Sequence, residues 1–72
     1  MKNINFQNEI VSGAVWVARH SYDRDLKFFL KELSNPEYNH ENRYSMLKEW
    51  MKKYYPGVQD SIILGISLTL ED

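Results

Sequence analysis

The stretch SIILGISLTLED, residues 61–72, decides which fold the sequence predicts. Its apolar side chains occupy alternate positions, which is the pattern of a β-strand with one buried face. A lone strand cannot satisfy its own backbone donors and acceptors, so we expect residues 61–70 to pair with a second extended segment. The alternating apolar residues are Ile62, Leu64, Ile66, Leu68 and Leu70.

The best candidate for that second segment is EIVSGAVWVARH, residues 9–20. Its β-branched and aromatic side chains, together with Gly13 in its interior, favour a strand over residues 10–19. The same residues also fit a helical spacing that continues into the next segment, and Ala14 and Ala18 favour that alternative. We adopt the strand as the main interpretation and keep the helix as the alternative.

Two segments between these ends have the spacing of amphipathic helices. The first covers residues 22–34, with Ser21 as its expected N-cap. The second covers residues 41–55 and ends at Pro56. The short link between them predicts an αα-hairpin. The apolar faces carry Leu26, Phe29, Leu30 and Leu33 in the first helix and Tyr44, Leu47, Trp50, Met51 and Tyr54 in the second.

The predicted fold class is α+β, in a single domain that covers residues 1–72. The element order is β-α-α-β, with the αα-hairpin packed on a small antiparallel sheet. A two-stranded sheet is marginally stable and has open edges, so we expect dimerisation to complete it. In the alternative the protein is mostly α, with a long N-terminal helix over residues 8–33, a second helix over residues 41–55 and one C-terminal strand. That strand would also need a partner, so both arrangements predict a homodimer or a bound partner protein.

Composition narrows the classes of function. The chain of 72 residues contains 9 Lys and Arg against 10 Asp and Glu, for a formal net charge of −1. A general nucleic-acid-binding domain normally carries an excess of basic residues, so this balance makes that class less favoured. The chain has no cysteine, which excludes disulfides and thiolate metal sites. It shows neither the apolar segment of a signal peptide nor an apolar run long enough to span a membrane, so we expect a cytoplasmic protein.

No residue pattern of a known catalytic or metal site is present. His20 lies near Asp23 and His40 is followed by Glu41, but neither pair has a third ligand at the spacing of a zinc site. The serines lack a GxSxG context, and the three glycines are too scattered to bind a phosphate. We therefore predict a non-enzymatic protein without a metal or other cofactor.

Five Tyr and two Trp supply more aromatic surface than so small a core can enclose. Tyr and Trp are enriched in protein interfaces because they combine a large area, few rotatable bonds and a polar end. The main functional hypothesis is therefore a protein-binding module, a regulator or inhibitor that occludes a surface of its partner. Immunity proteins and phage accessory proteins are of similar size, which is an analogy of size only. The expected contacts are the aromatic residues Trp16, Tyr22, Tyr38 and Tyr55 and the exposed strand edge at Ile62, Leu64, Ile66 and Leu68.

The alternative function is a nucleic-acid-associated regulator. The segment KEWMKKYYPG, residues 48–57, interleaves lysines with aromatic side chains. Lysines can neutralise phosphates and aromatic rings can stack on bases, which suits a single-stranded nucleic acid. The same pattern also describes an amphipathic helix with a buried aromatic face. The residues expected to contact nucleic acid in this alternative are Arg43, Lys48, Lys52, Lys53 and Tyr55.

Overall fold

The fold is all-α. The computed structural model describes residues 6–71, with the exception of the Phe6 side chain, and this part of the chain forms four helices and no strand. The predicted α+β class, the β-α-α-β order and the antiparallel sheet are therefore wrong. The mostly α alternative is closer, but its long N-terminal helix is interrupted and its C-terminal strand is also a helix. The helices are α1 (Phe6–Arg19), α2 (Arg24–Leu33), α3 (His40–Tyr54) and α4 (Asp60–Thr69).

Helix α4 is the element that the alternation of apolar residues misidentified. From Ile62 to Leu70 every residue is buried or half-buried. A helix that is apolar on all sides belongs in the interior, and its sequence lacks the polar face that would reveal a helical period. The amides of Ile62 and Ile63 both donate to the carbonyl of Gln59 at 3.1 Å. Because α4 satisfies its own backbone, it needs no second strand, and a homodimer is not required to complete its hydrogen bonds.

Helices α1 and α4 approach each other through their glycines. Gly13 and Gly65 are both buried. A Cβ built on Gly13 would lie 2.7 Å from the carbonyl oxygen of Gly65, and one built on Gly65 would lie 2.8 Å from the carbonyl carbon of Glu9. Backbones this close leave room only for glycine. Gly13 therefore serves the packing of two helices, and the strand predicted over residues 10–19 is wrong.

Helix α2 confirms the amphipathic segment predicted at residues 22–34, although its cap differs. Asp23, rather than Ser21, is the N-cap, because its carboxylate accepts a hydrogen bond of 3.1 Å from the amide of Leu26. Such a bond satisfies one of the amides that have no partner within the helix. A turn before Asp23 separates α1 from α2, so the long N-terminal helix of the alternative does not form.

Helix α3 confirms the second amphipathic segment, predicted at residues 41–55. Its N-cap is Asn39, whose side-chain oxygen accepts a hydrogen bond of 2.7 Å from the amide of Asn42. Its C-cap is Tyr55, directly before Pro56, which has no amide hydrogen to extend the helix. The cap of Asn39 therefore accounts for the start of α3, and Pro56 accounts for its end.

The core lies where α2, α3 and α4 meet. Helix α1 adds Trp16 and Val17, which are half-buried against this core, whereas Val11 and Val15 are exposed. Within residues 6–71 no helix combines the length and the apolar character that crossing a membrane requires. The buried apolar residues are Leu26, Leu30 and Leu33 of α2, Leu47 and Met51 of α3, and Ile63 and Ile66 of α4.

Candidate functional site

A cluster of aromatic rings connects α1, α2 and α3. Phe29 stacks on Trp50, with ring centroids 4.9 Å apart and planes 11° from parallel. Trp50 also contacts Tyr54, at 4.7 Å between centroids, and Tyr55, at 5.9 Å. Tyr55 in turn meets Trp16 edge-on at 5.1 Å. We call these five rings the aromatic cluster.

Helical spacing places the aromatic cluster beside the core. Phe29 follows the buried Leu26 by three positions in α2, and Trp50 follows the buried Leu47 by three positions in α3. Residues three positions apart are neighbours on one helix surface. Both rings therefore lie at the edge of a buried stripe, and both are half-buried, with one side on the core and the other toward solvent.

An open groove follows the solvent side of this cluster and has a volume of about 430 Å³. Phe28 is 66% exposed and Tyr54 is 53% exposed, so two large rings of the groove face water. Its volume falls in the range of ligand sites in proteins, about 300–1,000 Å³. We call it the aromatic groove; its lining residues are Asp23, Asp25, Phe28, Phe29, Trp50, Tyr54 and Tyr55.

A second depression of about 380 Å³ adjoins the aromatic groove and shares three of its rings, those of Phe29, Trp50 and Tyr54. Lys53 lines this depression, and its ammonium lies 5.2 Å from the centroid of the Tyr54 ring. A cation at this distance from an aromatic face is attracted by the ring quadrupole. The rings of this surface can therefore hold a cation.

The Asp23 carboxylate lines the aromatic groove and joins two helices. One of its oxygens caps α2 at Leu26, and the other accepts a hydrogen bond from the Tyr55 hydroxyl. The bond from Tyr55, and after it the bond from Leu26, lower the pKa of Asp23 below its ordinary value of 3.8. The same bond raises the pKa of Tyr55 to about 12. At neutral pH the carboxylate is charged and the hydroxyl is protonated, so the bond ties the start of α2 to the end of α3.

Asp25 supplies the second carboxylate of the groove. It is exposed in the first turn of α2, and its side chain forms no hydrogen bond or ion pair within the described part of the chain. Two residues that are two positions apart inside a helix point to different sides. Because Asp23 is the N-cap and lies before the helix, both carboxylates line the same groove.

The structure brings together two of the four aromatic residues predicted to contact a partner protein. Trp16 and Tyr55 both belong to the aromatic cluster. Tyr22 is 77% exposed, but it does not line the groove. Tyr38 is half-buried against the core, in the link between α2 and α3. Tyr22 still approaches Trp16 and Tyr55 through the His20 ring, at 6.0 Å between the centroids of Tyr22 and His20. Of the predicted set, Tyr38 therefore lies apart from the cluster.

The strand edge predicted as a docking surface does not exist, because its residues belong to α4. Ile66 is fully buried in the core. Ile62, Leu64 and Leu68 are half-buried. Their backbone groups bond within the helix, so they offer no row of free donors and acceptors to another chain.

Arg43, predicted to contact nucleic acid, lies in the interior with 5% of its surface exposed. Its Nε donates to the carbonyl of Leu33 at 2.6 Å, and its Nη2 donates to the carbonyls of Asn35 and Tyr38, both at 3.1 Å. Leu33 ends α2, and the last carbonyls of a helix have no partner within it. Arg43 therefore closes α2 and fixes the link between α2 and α3, and its guanidinium is not available to a phosphate.

The three lysines of the nucleic-acid hypothesis have different surroundings. Lys48 is half-buried, and its ammonium lies 3.6 Å from a carboxylate oxygen of Asp60. Lys52 and Lys53 are exposed in the last turn of α3. Two of the three lysines are thus open to an anionic partner.

Of the seven groove residues, sequence reasoning named only Tyr55 as a site residue. It missed the other six, which are Asp23, Asp25, Phe28, Phe29, Trp50 and Tyr54. Phe28 lies outside the apolar stripe of α2 and is an exposed aromatic residue on a polar face, which is the signal that could have identified it. Tyr54 was assigned to the buried face of α3 because its spacing from Trp50 fits that face. The last buried residue of α3 is Met51, so Tyr54 follows the part of the helix that faces the core.

The histidines take structural contacts. The Nδ1 of His20 donates to the carbonyl oxygen of Trp16 at 2.9 Å, and the imidazole stacks on the indole with centroids 3.9 Å apart. His40 pairs with Glu71 near the end of α4. Among the residues that the structure describes, no three His, Asp or Glu side chains lie together as a metal site would require.

Comparison of the chain with protein-family models, with curated protein sequences and with solved structures finds no match. Similarity to other proteins therefore offers no indication of function. The aromatic groove, with its exposed rings and its two carboxylates, is the feature on which a functional proposal can rest.

Proposed function

We propose that this protein is a non-catalytic protein-binding module whose docking site is the aromatic groove. The observation that carries the proposal is the exposure of Phe28 and Tyr54 beside a groove built from stacked rings. Covering apolar surface contributes roughly 25 cal/mol per Å². Aromatic side chains are also enriched where proteins meet. An apolar or aromatic segment of another protein is therefore the occupant that this surface favours.

The groove is held in place at both ends of α2, which supports its use as a preformed site. The hydrogen bond between Asp23 and Tyr55 joins the start of α2 to the end of α3. At the other end, Arg43 joins the last turn of α2 to the start of α3. Side chains that are already ordered lose little conformational freedom on binding, so less affinity is lost to entropy.

The proposed mode of action is occlusion. A partner segment that fills the aromatic groove is covered by this protein, which then acts as a regulator or inhibitor of that partner. The homodimer, the cytoplasmic location and the absence of enzymatic activity stay predictions. Sedimentation equilibrium tests the homodimer, and the mass of a single chain at high micromolar concentration would contradict it.

The docking site is tested by selecting a displayed library of random peptides against the full chain. Enriched peptides are synthesised and titrated into ¹⁵N-labelled protein, and we expect the largest amide shift changes along the aromatic groove. Phe28→Ser and Tyr54→Ser should each weaken binding about ten-fold, as expected for aromatic residues at the centre of an interface.

Val11→Ser is the matched control, because Val11 is an exposed apolar residue of α1 that does not line the groove. It should bind the selected peptides as the wild type does. The proposal fails if no peptide is enriched. It also fails if the shift changes map elsewhere and the two groove variants retain full affinity.

A nucleic-acid-associated function is the second candidate, because Lys52 and Lys53 are exposed beside the open ring of Tyr54. Fluorescence anisotropy with labelled single-stranded oligonucleotides tests it. Binding should weaken steeply between about 50 and 200 mM salt and disappear in the Lys52→Glu, Lys53→Glu double variant. A double variant of two exposed lysines of α2, Lys27→Glu and Lys31→Glu, has the same charge change and is the control. Equal loss in both variants would indicate only general charge attraction.

A further inference from the structure

We infer that the aromatic groove recognises an arginine side chain carried by the docking segment. This inference rests on the proposed function and specifies the chemistry of its ligand. The groove combines the two features that a guanidinium uses, the faces of aromatic rings and carboxylate oxygens.

The charged side chains that line the groove are both acidic. Asp25 is exposed and forms no hydrogen bond or ion pair with residues 6–71. Asp23 already accepts hydrogen bonds from the Leu26 amide, the Tyr55 hydroxyl and the Asp25 amide, but a carboxylate has about four acceptor sites. Neither Arg24 nor Lys53 lines the groove, so none of the groove's own side chains supplies a positive charge to neutralise the two carboxylates. The side chains of the groove are therefore negatively charged, which favours a cationic occupant.

The exposed rings add the second requirement. Phe28 and Tyr54 present apolar faces to the same groove as the carboxylates. A guanidinium is planar, so it can stack on a ring and donate two parallel hydrogen bonds to a carboxylate at once. The methylene groups of arginine can also pack on Phe28 while the charged head reaches the carboxylates.

An arginine fits this combination better than a lysine does. A lysine ammonium is compact and strongly hydrated, so it gives up more hydration to enter an aromatic site. The contact between the Lys53 ammonium and Tyr54, at 5.2 Å from the ring centroid, shows that this ring already attracts a cation in the neighbouring depression. The guanidinium would bind in the aromatic groove, which the Tyr54 ring also lines together with Phe28 of α2.

The test titrates three probes into ¹⁵N-labelled full-length protein: the Nα-acetyl amides of arginine, lysine and citrulline. Citrulline has the shape of arginine without its charge. We expect the arginine probe to shift the amides of the groove at millimolar concentration and to bind about five-fold more tightly than citrulline, with lysine between them. Asp25→Asn should remove the preference for arginine over citrulline.

Asp60→Asn is the matched control. Asp60 also lies in the first turn of a helix, α4, and its substitution removes the same charge without altering the groove. This variant should keep the preference. Tyr54→Leu is a second groove variant that retains apolar bulk but removes the ring, and it should weaken the arginine probe about five-fold. Circular dichroism establishes that each variant is folded.

Equal binding of the arginine and citrulline probes overturns the inference, and so does a preference that persists in Asp25→Asn. The peptide selection separates this failure from failure of the proposed function. Groove-binding peptides without arginine would leave the docking site in place and refute its preference for arginine. If no peptide binds the groove, the proposed function and this inference both fail.

Discussion

Gly65→Ala tests the crossing of α1 and α4 on which the fold depends. In an isolated helix this substitution would stabilise by about 1 kcal/mol, because alanine is the better helix former. Here the new Cβ would lie 2.8 Å from the carbonyl carbon of Glu9 and 3.1 Å from the amide nitrogen of Gly13. These are backbone atoms of α1, which cannot rotate away as a flexible side chain can. The two helices must therefore separate.

The cost of that separation exceeds the gain in helix propensity. Forcing an extra carbon into a close-packed interior, with the backbone shifts that this requires, typically costs about 1–3 kcal/mol and occasionally more. Helix α4 also carries Ile63 and Ile66, which are 2% and 0% exposed, so its displacement disturbs the core. We expect a net loss of about 1–2 kcal/mol in the free energy of unfolding. A domain of this size has roughly 4–11 kcal/mol in total.

Urea denaturation followed by circular dichroism measures the loss, and Gly57→Ala is the matched control. A Cβ on Gly57 would meet no atom of the described residues within 4 Å, and its backbone is not left-handed. The control should be neutral or stabilising by up to about 1 kcal/mol. Gly13→Ala should behave like Gly65→Ala, because its Cβ would lie 2.7 Å from the Gly65 oxygen. If Gly65→Ala is as stable as the wild type, the two helices do not cross at these glycines.

Three further predictions concern the polar groups of Arg43, Ser67 and Tyr55. Arg43→Met should lower the free energy of unfolding by about 3 kcal/mol in urea denaturation, because it leaves the buried Leu33 carbonyl and its neighbours without a donor. An unchanged stability would refute that role. Ser67→Ala should be neutral or stabilising by about 1 kcal/mol in the same assay, since the fully buried Ser67 hydroxyl has no hydrogen-bond partner among the described residues. A clear loss would reveal a partner. Because the pKa of Tyr55 is raised from 10.0 to about 12, its contribution to stability should be complete below pH 10 and decline between pH 10 and about 12. The lowered pKa of Asp23 should add stability that is present above pH 3.8 and lost as the pH falls through its folded value. Tyr55→Phe should remove the alkaline dependence and reduce the acid one, part of which remains because the Leu26 amide also lowers the pKa of Asp23. An unchanged stability–pH curve would contradict the contact.

Sequence reasoning located α2 and α3 because both helices carry the signals that it reads. Each has one apolar face, one polar face and a side chain that caps its first turn. It failed for α4 because a helix enclosed on all sides has no polar face, and its isoleucines and threonine are typical of strands. The prediction for α1 was wrong because a glycine inside an apolar run favours a bend or a strand. Only knowledge of the residue that packs against Gly13 would have favoured a helix. That partner, Gly65, lies 52 positions later in the chain, so no local pattern could reveal it.

The candidate site was predictable only in part, for a related reason. The aromatic surplus drew attention to Trp16 and Tyr55, which the fold brings into contact, and their role in binding stays a prediction. Arg43 was grouped with exposed basic residues because its three carbonyl partners come from the end of α2 and the following link. Which cation is buried and which ring is exposed depends on the angle between α2 and α3. The spacing within either helix does not contain that information.

The glycines of α1 and α4 and the rings of α2 and α3 together account for the open groove. Helices that meet through glycines can bring their backbones into contact, whereas the distance between helices that meet through large side chains is set by those side chains. Helices α2 and α3 meet through the stacked rings of Phe29 and Trp50, so their backbones stay apart. The rings are wide enough to hold the helices apart but do not fill the space at the surface, where Phe28 and Tyr54 remain exposed. Glycines between α1 and α4 and aromatic rings between α2 and α3 therefore determine the helix packing, and the same arrangement leaves the aromatic groove open at the surface.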